Sequence, residues 1–281
     1  METQMLESTK TEVENAVNRA FELARLLSQS SFRLFLALGD YFEIFESTNE
    51  SPYVIENVDD IRYDTNRIKF LTRYLHNHYE TGGFSYQDAN GIDCITIELM
   101  IYSQMWESDF FLKTLARLAS LAIGEKYLWN PFEKETLEKK ELSNWTWVHR
   151  RIIHPLINKG VALGNLINEC YCPNLRHSFA HSIYEISEQS KEINYFGFNR
   201  PEQKRKRLFY PQKSYSLSFS DFQVKFLKSA HLSYYMNTLL NQYRYLELNK
   251  LHSIEKIELP NGHTVGIKVI QEFGINKFIF E

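Results

Sequence analysis

The feature that most constrains the fold is the helical spacing of apolar residues, which recurs through most of the chain. Between residues 7 and 45, apolar side chains return every three or four positions. This spacing predicts one long helix, or two helices broken near residues 28–31. A further helix is predicted to begin at Asp64 or Thr65, to run through Leu75 and to stop at Gly82-Gly83, and others are predicted over residues 108–128 and 220–249. A chain with this pattern is expected to fold as a mainly α protein built around a helical bundle.

Two further segments, residues 144–169 and 84–107, have patterns that are less regular. Asn144 is predicted to cap a long helix over residues 145–169, which Pro155 should kink or divide because proline removes a backbone donor. Residues 84–107 stay open, because the run CITIELMI alternates like a strand but is also compatible with a helix.

In the last thirty residues, the helical spacing gives way to a strand-like pattern. IEKIEL, HTVGIKVI and FIF are separated by turns, and they predict a small antiparallel β-meander whose first turn is centred on Asn261-Gly262. We therefore expect an N-terminal helical region over residues 1–107, a helical bundle over 108–250 and the β-meander over 251–281.

Charge and composition exclude several classes of protein. The formal net charge of −3 argues against a protein that coats nucleic acid non-specifically. The first sixty residues carry twelve Asp/Glu and four Lys/Arg, a net −8, so they are an improbable surface for RNA. The sequence shows no signal peptide and no long apolar run, and its three cysteines suit a reducing compartment. We expect a cytoplasmic protein without a membrane segment.

Residues 174–182, NLRHSFAHS, place an arginine and two histidines among apolar positions. Pro173 predicts that a helix begins near residues 172–174, and this helix is expected to run to about residue 189. Phe179 and Ala180 would form its buried face. Arg176 would lie in or just after the first turn, where unpaired N–H groups favour anions.

The types of side chain in this stretch suit phosphate chemistry. Arginine offers a fixed fork of donors to phosphate, and histidine exchanges protons near neutral pH. Arg176 and His181 are five residues apart, about 140° around a helix, so they would converge most simply in a groove between two copies of the helix. His177 and His181 are four residues apart and should share a face.

Arg176 followed after four residues by His181, within LRHSFAHS, resembles the Arg-x4–6-His signature of the HEPN (higher eukaryotes and prokaryotes nucleotide-binding) superfamily. The polar residue that this family places after the arginine corresponds to His177. The resemblance covers residues 108–250 and implies a helical bundle that dimerises through the motif helices.

Many members of this superfamily are metal-independent endoribonucleases of toxin–antitoxin or phage-defence systems. The resemblance therefore implies that Arg176, His181 and His177 are catalytic, that RNA is the substrate, and that no metal or cofactor takes part. It also implies a homodimer with a possible antitoxin partner. Other members bind RNA or nucleotides, or serve as scaffolds, without cutting, and that alternative stays open here.

Other polar groups could extend or replace this site. Residues 200–213 carry six Lys/Arg and one Glu, and Lys204, Arg205, Lys206 and Arg207 are predicted to bind an RNA backbone. Nearby Phe209 and Tyr210 could stack on bases. Some of His149, Arg150, Arg151 and His154 are expected to face the motif, unless they only cover the surface of the bundle. Alternatively, His177, His181, Cys170 and Cys172 could form a metal site.

Overall fold

The computed structural model describes residues 2–37, 40–43, 53–56, 61–77, 91–129, 131–132, 144–197, 213–248, 255–260, 262–272 and 275–280, and the protein is mainly helical, as predicted. Its helices are α1 (Glu2–Leu27), α2 (Gln29–Ala37), α3 (Ile61–Leu75), α4 (Gly91–Glu107), α5 (Asp109–Ala122), α6 (Asn144–Val148), α7 (His154–Asn158), α8 (Ala162–Cys170), α9 (Pro173–Ala180) and α10 (Phe219–Tyr243). The turns His149–Ile153 and Arg244–Leu248 are π-helical.

The strands form three antiparallel sheets. They are β1 (Asp40–Glu43) with β2 (Tyr53–Glu56), β3 (Tyr184–Ser187) with β4 (Glu192–Gly197) and β5 (Lys213–Ser218), and β6 (Glu255–Glu258) with β7 (Thr264–Glu272) and β8 (Ile275–Phe280). The last sheet confirms the predicted C-terminal meander, and its first turn contains Gly262 at a φ of 82°. The first two sheets were not predicted.

Helix α1 lies in the centre of the hydrophobic core, where it packs against α5, α8 and α10. Val13 and Phe21 are completely buried, and Tyr243 of α10 stacks on Phe21 with ring centroids 5.5 Å apart. Lys228 of α10 donates hydrogen bonds to Glu12 at 2.8 Å and to Glu169 at 2.6 Å. This lysine therefore links α10 to both α1 and α8.

In the first part of the chain, one predicted helix is shorter than expected, and residues 91–107, which could have been strand or helix, are helical. A break occurs at Ser28, as predicted, but α2 ends at Ala37 and β1 follows, so the prediction that helix continues to residue 45 was wrong. The ambiguous segment 84–107 contains α4, which is helical from Gly91 to Glu107.

Helix α5 ends earlier than predicted, and a glycine ends it. After α5, Gly124 adopts a φ of 78°, and the N–H groups of Gly124 and Glu125 bond to the carbonyls of Leu121 and Ser120. This Schellman motif satisfies the last carbonyls of the helix. The predicted end near Leu128 was therefore wrong, and α5 ends at Ala122.

The predicted helix over residues 145–169 is divided, but at Gly160 and not at Pro155. Gly160 has a φ of 69°, and the N–H groups of Gly160 and Val161 bond to Ile157 and Leu156 in the same terminating pattern. Pro155 instead follows the first π turn, in which the His154 N–H bonds to the His149 carbonyl. A proline at 155 cannot donate to Arg151, so a wider turn is compatible with it.

The C-terminal sheet is bonded to the residues that follow α5. Lys126 Nζ pairs with Glu258 Oε1 at 2.7 Å, and Trp129 Nε1 donates to the Glu258 carbonyl at 3.2 Å. In the part of the chain that is described, no helix is both long enough and apolar enough to cross a membrane.

Candidate functional site

Helix α9 carries the motif, and a buried tyrosine fixes where it begins. The Tyr102 hydroxyl donates to the Cys170 carbonyl at 2.8 Å and accepts from the Cys172 N–H at 2.7 Å. This pair of bonds holds the turn between α8 and α9, and Pro173 then occupies the first helical position, as predicted. The N–H of Arg176 bonds to the Cys172 carbonyl, so this backbone donor is paired, contrary to expectation.

The end of α9 corrects the predicted length of the motif helix. The helix stops at Ala180 instead of about residue 189, because Ser182 adopts a left-handed φ of 55°. The N–H groups of Ser182 and Ile183 bond to the carbonyls of Phe179 and Ser178, which is the Schellman pattern with serine in the place usually taken by glycine. His181 is therefore the C-cap residue, and β3 begins three residues later.

Helix α9 packs between α4 and β4. Leu175 is completely buried, whereas Phe179 is half-buried and Ala180 is exposed, so the predicted buried face of Phe179 and Ala180 was wrong. Ser178 is also buried, and its hydroxyl accepts from the Phe196 N–H at 3.2 Å and donates to the Phe196 carbonyl at 2.5 Å. The motif helix is thus tied to the end of β4.

Arg176 points toward α4 and forms an ion pair there. Its Nη1 lies 3.0 Å from Glu107 Oε1, and its side chain is only 14% exposed while that of Glu107 is 48% exposed. The Nε atom is buried and has no hydrogen-bond acceptor among the described residues. The guanidinium is therefore held at the edge of the protein with one nitrogen already engaged and donor capacity unused.

Tyr171 lies beside this guanidinium. Burial raises the pKa of Tyr171 to about 12, and the positive charge of Arg176 acts in the opposite direction. The ring of Tyr171 also packs against Trp106, with centroids 4.8 Å apart. Arg176 is consequently flanked by a carboxylate on one element and a buried phenol on another.

His177 and His181 lie side by side, as their spacing predicted. Their ring centroids are 4.3 Å apart; His177 is half-buried and His181 is exposed. Burial lowers the pKa of His177 below its ordinary 6.5, and the neighbouring His181 and Arg176 lower it further. His177 is therefore mostly neutral at pH 7 and able to accept a proton.

The histidine pair of α9 lies between two sides of the helix, one marked by Arg176 and the other by Ser178. Successive residues turn by about 100°, so His177 lies angularly between Arg176 and Ser178. The Arg176 side borders Glu107 and Tyr171, and the Ser178 side is bound to β4. Around α9, the Arg176 side chain is therefore next to that of His177, and His177 lies beside His181.

The first π turn lies next to the Tyr171 flank. His149 is half-buried, with its ring centroid 6.3 Å from that of Tyr171 and 5.6 Å from that of the exposed His154. Arg150 is exposed and Arg151 is half-buried. Burial, followed by the charge of His154, lowers the pKa of His149.

The predicted RNA-binding residues Lys204, Arg205, Lys206 and Arg207 lie outside the described residues, as do Phe209 and Tyr210. The strands on either side are described: Gly197 at the end of β4 pairs with Lys213 at the start of β5. Residues 198–212, which contain this basic segment, therefore connect two paired residues, Gly197 and Lys213, and Gly197 follows Phe196, the residue that Ser178 binds.

The two cysteines do not converge on the histidine pair. Cys170 is completely buried, its Sγ lies 3.7 Å from the Ile167 carbonyl, and burial raises the pKa of its thiol to about 12. Cys172 Sγ lies 3.6 Å from the Tyr195 hydroxyl. Within the described ranges, no group of three or more His, Cys, Asp or Glu residues could hold a metal ion.

Sequence reasoning missed Glu107 and Tyr171 as neighbours of the motif. Glu107 precedes the helix-capping Ser108 and is 69 positions from Arg176, so no local pattern connects the two. Tyr171 is adjacent to the motif helix in sequence, but only the packing of Trp106 against it shows that it is buried there.

Comparisons of the chain with protein-family models, with curated proteins and with solved structures find no match.

Proposed function

We propose that this protein is a metal-independent endoribonuclease of the HEPN type. The observation that carries the proposal is the sequence of groups around α9: a guanidinium at Arg176, a neutral imidazole at His177 beside it, and His181 4.3 Å from His177 at the surface. These are the groups that phosphodiester cleavage without a metal requires, namely an anion-stabilising donor and two proton carriers.

In the proposed reaction, the ribose 2′-oxygen attacks the adjacent phosphorus and the bond from phosphorus to the 5′-oxygen breaks. One imidazole of the pair accepts the proton of the 2′-hydroxyl, and the other returns a proton to the leaving 5′-oxygen. Arg176 stabilises the negative charge that develops on the phosphoryl oxygens. The products are a 2′,3′-cyclic phosphate end and a 5′-hydroxyl end, so atoms and protons balance without water or an oxidant.

Dimerisation is part of the proposal. Arg176 and His181 project from α9 about 140° apart, so one copy presents them to different sides of the helix. A two-fold axis beside α9 brings Arg176 of one copy toward His181 of the other. The short, exposed end of α9 at Ala180 and His181 leaves room for such an approach.

The basic segment supports RNA as the substrate. It lies between β4 and β5, whose ends pair at Gly197 and Lys213, next to the residue that anchors α9. Lys204, Arg205, Lys206 and Arg207 would contact the phosphates of the strand that reaches the motif. A toxin or phage-defence role with an antitoxin partner is proposed from the family resemblance alone.

The ion pair between Glu107 and Arg176 favours a second candidate function. A carboxylate 3.0 Å from the guanidinium reduces the charge that a scissile phosphate would meet. The same groove would then bind RNA or a nucleotide without turnover, in a regulatory or scaffold role.

Incubation of the purified protein with RNA in EDTA tests the first proposal. Cleavage with 2′,3′-cyclic phosphate ends is expected, and Arg176→Ala or His181→Ala should slow it by about 100-fold or more. His263→Ala, an exposed histidine on the C-terminal sheet, is the matched control and should cleave normally. No cleavage by the wild type, or equal cleavage by His181→Ala, contradicts the enzyme proposal. Saturable RNA binding that is lost in Arg176→Ala without any product supports the second candidate.

A further inference from the structure

The first π turn places two histidines on one face that an α-helix would separate. His149 and His154 are five residues apart, which is about 140° in an α-helix. Here the His154 N–H bonds to the His149 carbonyl, five residues back, and the two ring centroids lie 5.6 Å apart. The wider turn therefore aligns two imidazoles that would otherwise point to different surroundings, and such turns are frequent at functional sites.

The surroundings of this pair are cationic. Residues 144–160 include Arg150, Arg151 and Lys159 and contain no Asp or Glu. Arg150 and His154 are exposed, while His149 is half-buried. An anion that approaches the π turn thus meets imidazole and guanidinium donors with no acidic side chain in the same segment.

The pair also lies on the motif side of the protein. His149 contacts Tyr171, and Tyr171 is close enough to Arg176 to feel its charge. On the opposite flank of the histidine pair of α9, Ser178 binds the end of β4, where the basic segment begins. The π turn and the end of β4 thus lie on opposite flanks of the motif.

We propose that His149 and His154, together with Arg150, bind a phosphodiester group of the same RNA strand, on the Tyr171 side of the motif. This inference rests on the proposed function, because it assumes that RNA crosses α9. The strand then runs from the π turn, past Arg176 and the two motif histidines, to the β4–β5 hairpin. Glu107 borders this path, because its Oε1 lies 3.0 Å from Arg176 Nη1.

Binding of an RNA that cannot be cleaved separates this inference from catalysis. The probe is a 2′-O-methyl RNA of about twelve nucleotides, long enough to span the motif and both flanks. In fluorescence anisotropy at pH 6, the double variant His149→Ala/His154→Ala should bind it about 3–10-fold more weakly. The slope of log affinity against log salt should fall by about one unit.

Three controls make the result specific. His263→Ala should bind as the wild type does. A 2′-O-methyl trinucleotide, too short to leave the motif, should bind equally to the wild type and the double variant but more weakly to Arg176→Ala. His154→Arg should bind the long RNA at least as tightly as the wild type, because it retains a cation at an exposed position.

The inference is overturned if the double variant binds the long RNA like the wild type. It is also overturned if the double variant loses the trinucleotide by the same factor, or if His154→Arg binds as weakly as His154→Ala. A wild-type protein that binds the long RNA but never cuts RNA contradicts the nuclease proposal and leaves this inference standing.

Discussion

Arg176 is bound to a carboxylate and is also the group proposed to hold a phosphate. Its Nη1 contacts Glu107, its Nε is buried, and the whole side chain is mostly enclosed. A phosphate has to share this guanidinium with Glu107 or displace it. The proposed binding of RNA at the motif would therefore depend on a residue outside the motif.

Glu107→Gln tests this dependence. Removing the carboxylate charge while keeping its shape should tighten binding of a 2′-O-methyl RNA by about 2–5-fold, since a partly exposed ion pair contributes up to about 1 kcal/mol. Fluorescence anisotropy at low salt measures the change. Glu188→Gln, on an exposed turn after β3, is the control and should bind unchanged. Unchanged affinity in Glu107→Gln would show that the phosphate does not compete with this carboxylate.

The pKa of His177 is a second residue-scale prediction. Burial, His181 and Arg176 all lower it, so an NMR titration of the imidazole should give a value below 6.5. Arg176→Gln removes one positive neighbour and should raise the value. Cleavage should persist as pH falls past 6.5 and decline only when pH falls through the lowered pKa. A His177 pKa above 6.5 in the wild type would contradict the proposed proton acceptor.

The same shift has a defined effect on folding. Because the folded pKa is depressed, the unfolded chain binds more protons in the window between the folded pKa and 6.5. The contribution of His177 therefore lowers stability as pH falls through that window, and this loss is absent above it.

At the scale of elements, close packing of α7 against α8 depends on Gly164. A Cβ at this position would lie 2.7 Å from Leu156 Cβ and 2.8 Å from the backbone nitrogen of Ile157. Gly164→Ala should therefore destabilise the protein by about 1–3 kcal/mol, as measured by urea unfolding.

Gly160 provides the matched control for that substitution. It has a φ of 69° but nothing within 4 Å of an added Cβ. Gly160→Asn should cost less than Gly164→Ala, because asparagine tolerates the left-handed conformation. Equal stability of Gly164→Ala and the wild type would show that α7 and α8 separate at no cost.

Much of the helical architecture was predictable because its signals are local. Ser108 caps α5, Pro173 opens α9, and the turn at Gly262 joins the first two strands of the C-terminal sheet. The end of α9 was not predictable, since Ser182 adopts a conformation that its residue type does not announce. The sheet β3–β4–β5 escaped prediction because β5 lies after the basic segment, far from its partner strand.

The candidate site was also predicted only in part. The proximity of His177 and His181 follows from helical spacing. The ion pair of Arg176 with Glu107 and the approach of His149 to Tyr171 depend on how separate elements pack, and no pattern along the chain encodes them.

At the scale of the whole molecule, the proposed dimer makes a prediction for mixed variants. Arg176→Ala and His181→Ala should each be inactive, yet a mixture should regain about a quarter of wild-type cleavage if each site takes Arg176 from one copy and His181 from the other. Half of the dimers are then mixed, and each has one intact site of two. Cleavage assays after equilibration of the mixture measure this recovery. Absence of recovery would show that the two residues act within one copy, or that each cleft needs both pairs.

The position of α1 against α10 governs when the fold can be completed. Glu12 and Lys228 are 216 positions apart, and α10 also packs against α4, which carries Glu107. During synthesis, α9 leaves the ribosome before α10, so the contacts of α10 with α1 and α4 form only after the motif helix has emerged. The packing around α4, and with it the position of Glu107 beside Arg176, is therefore completed only after the motif itself has been synthesised.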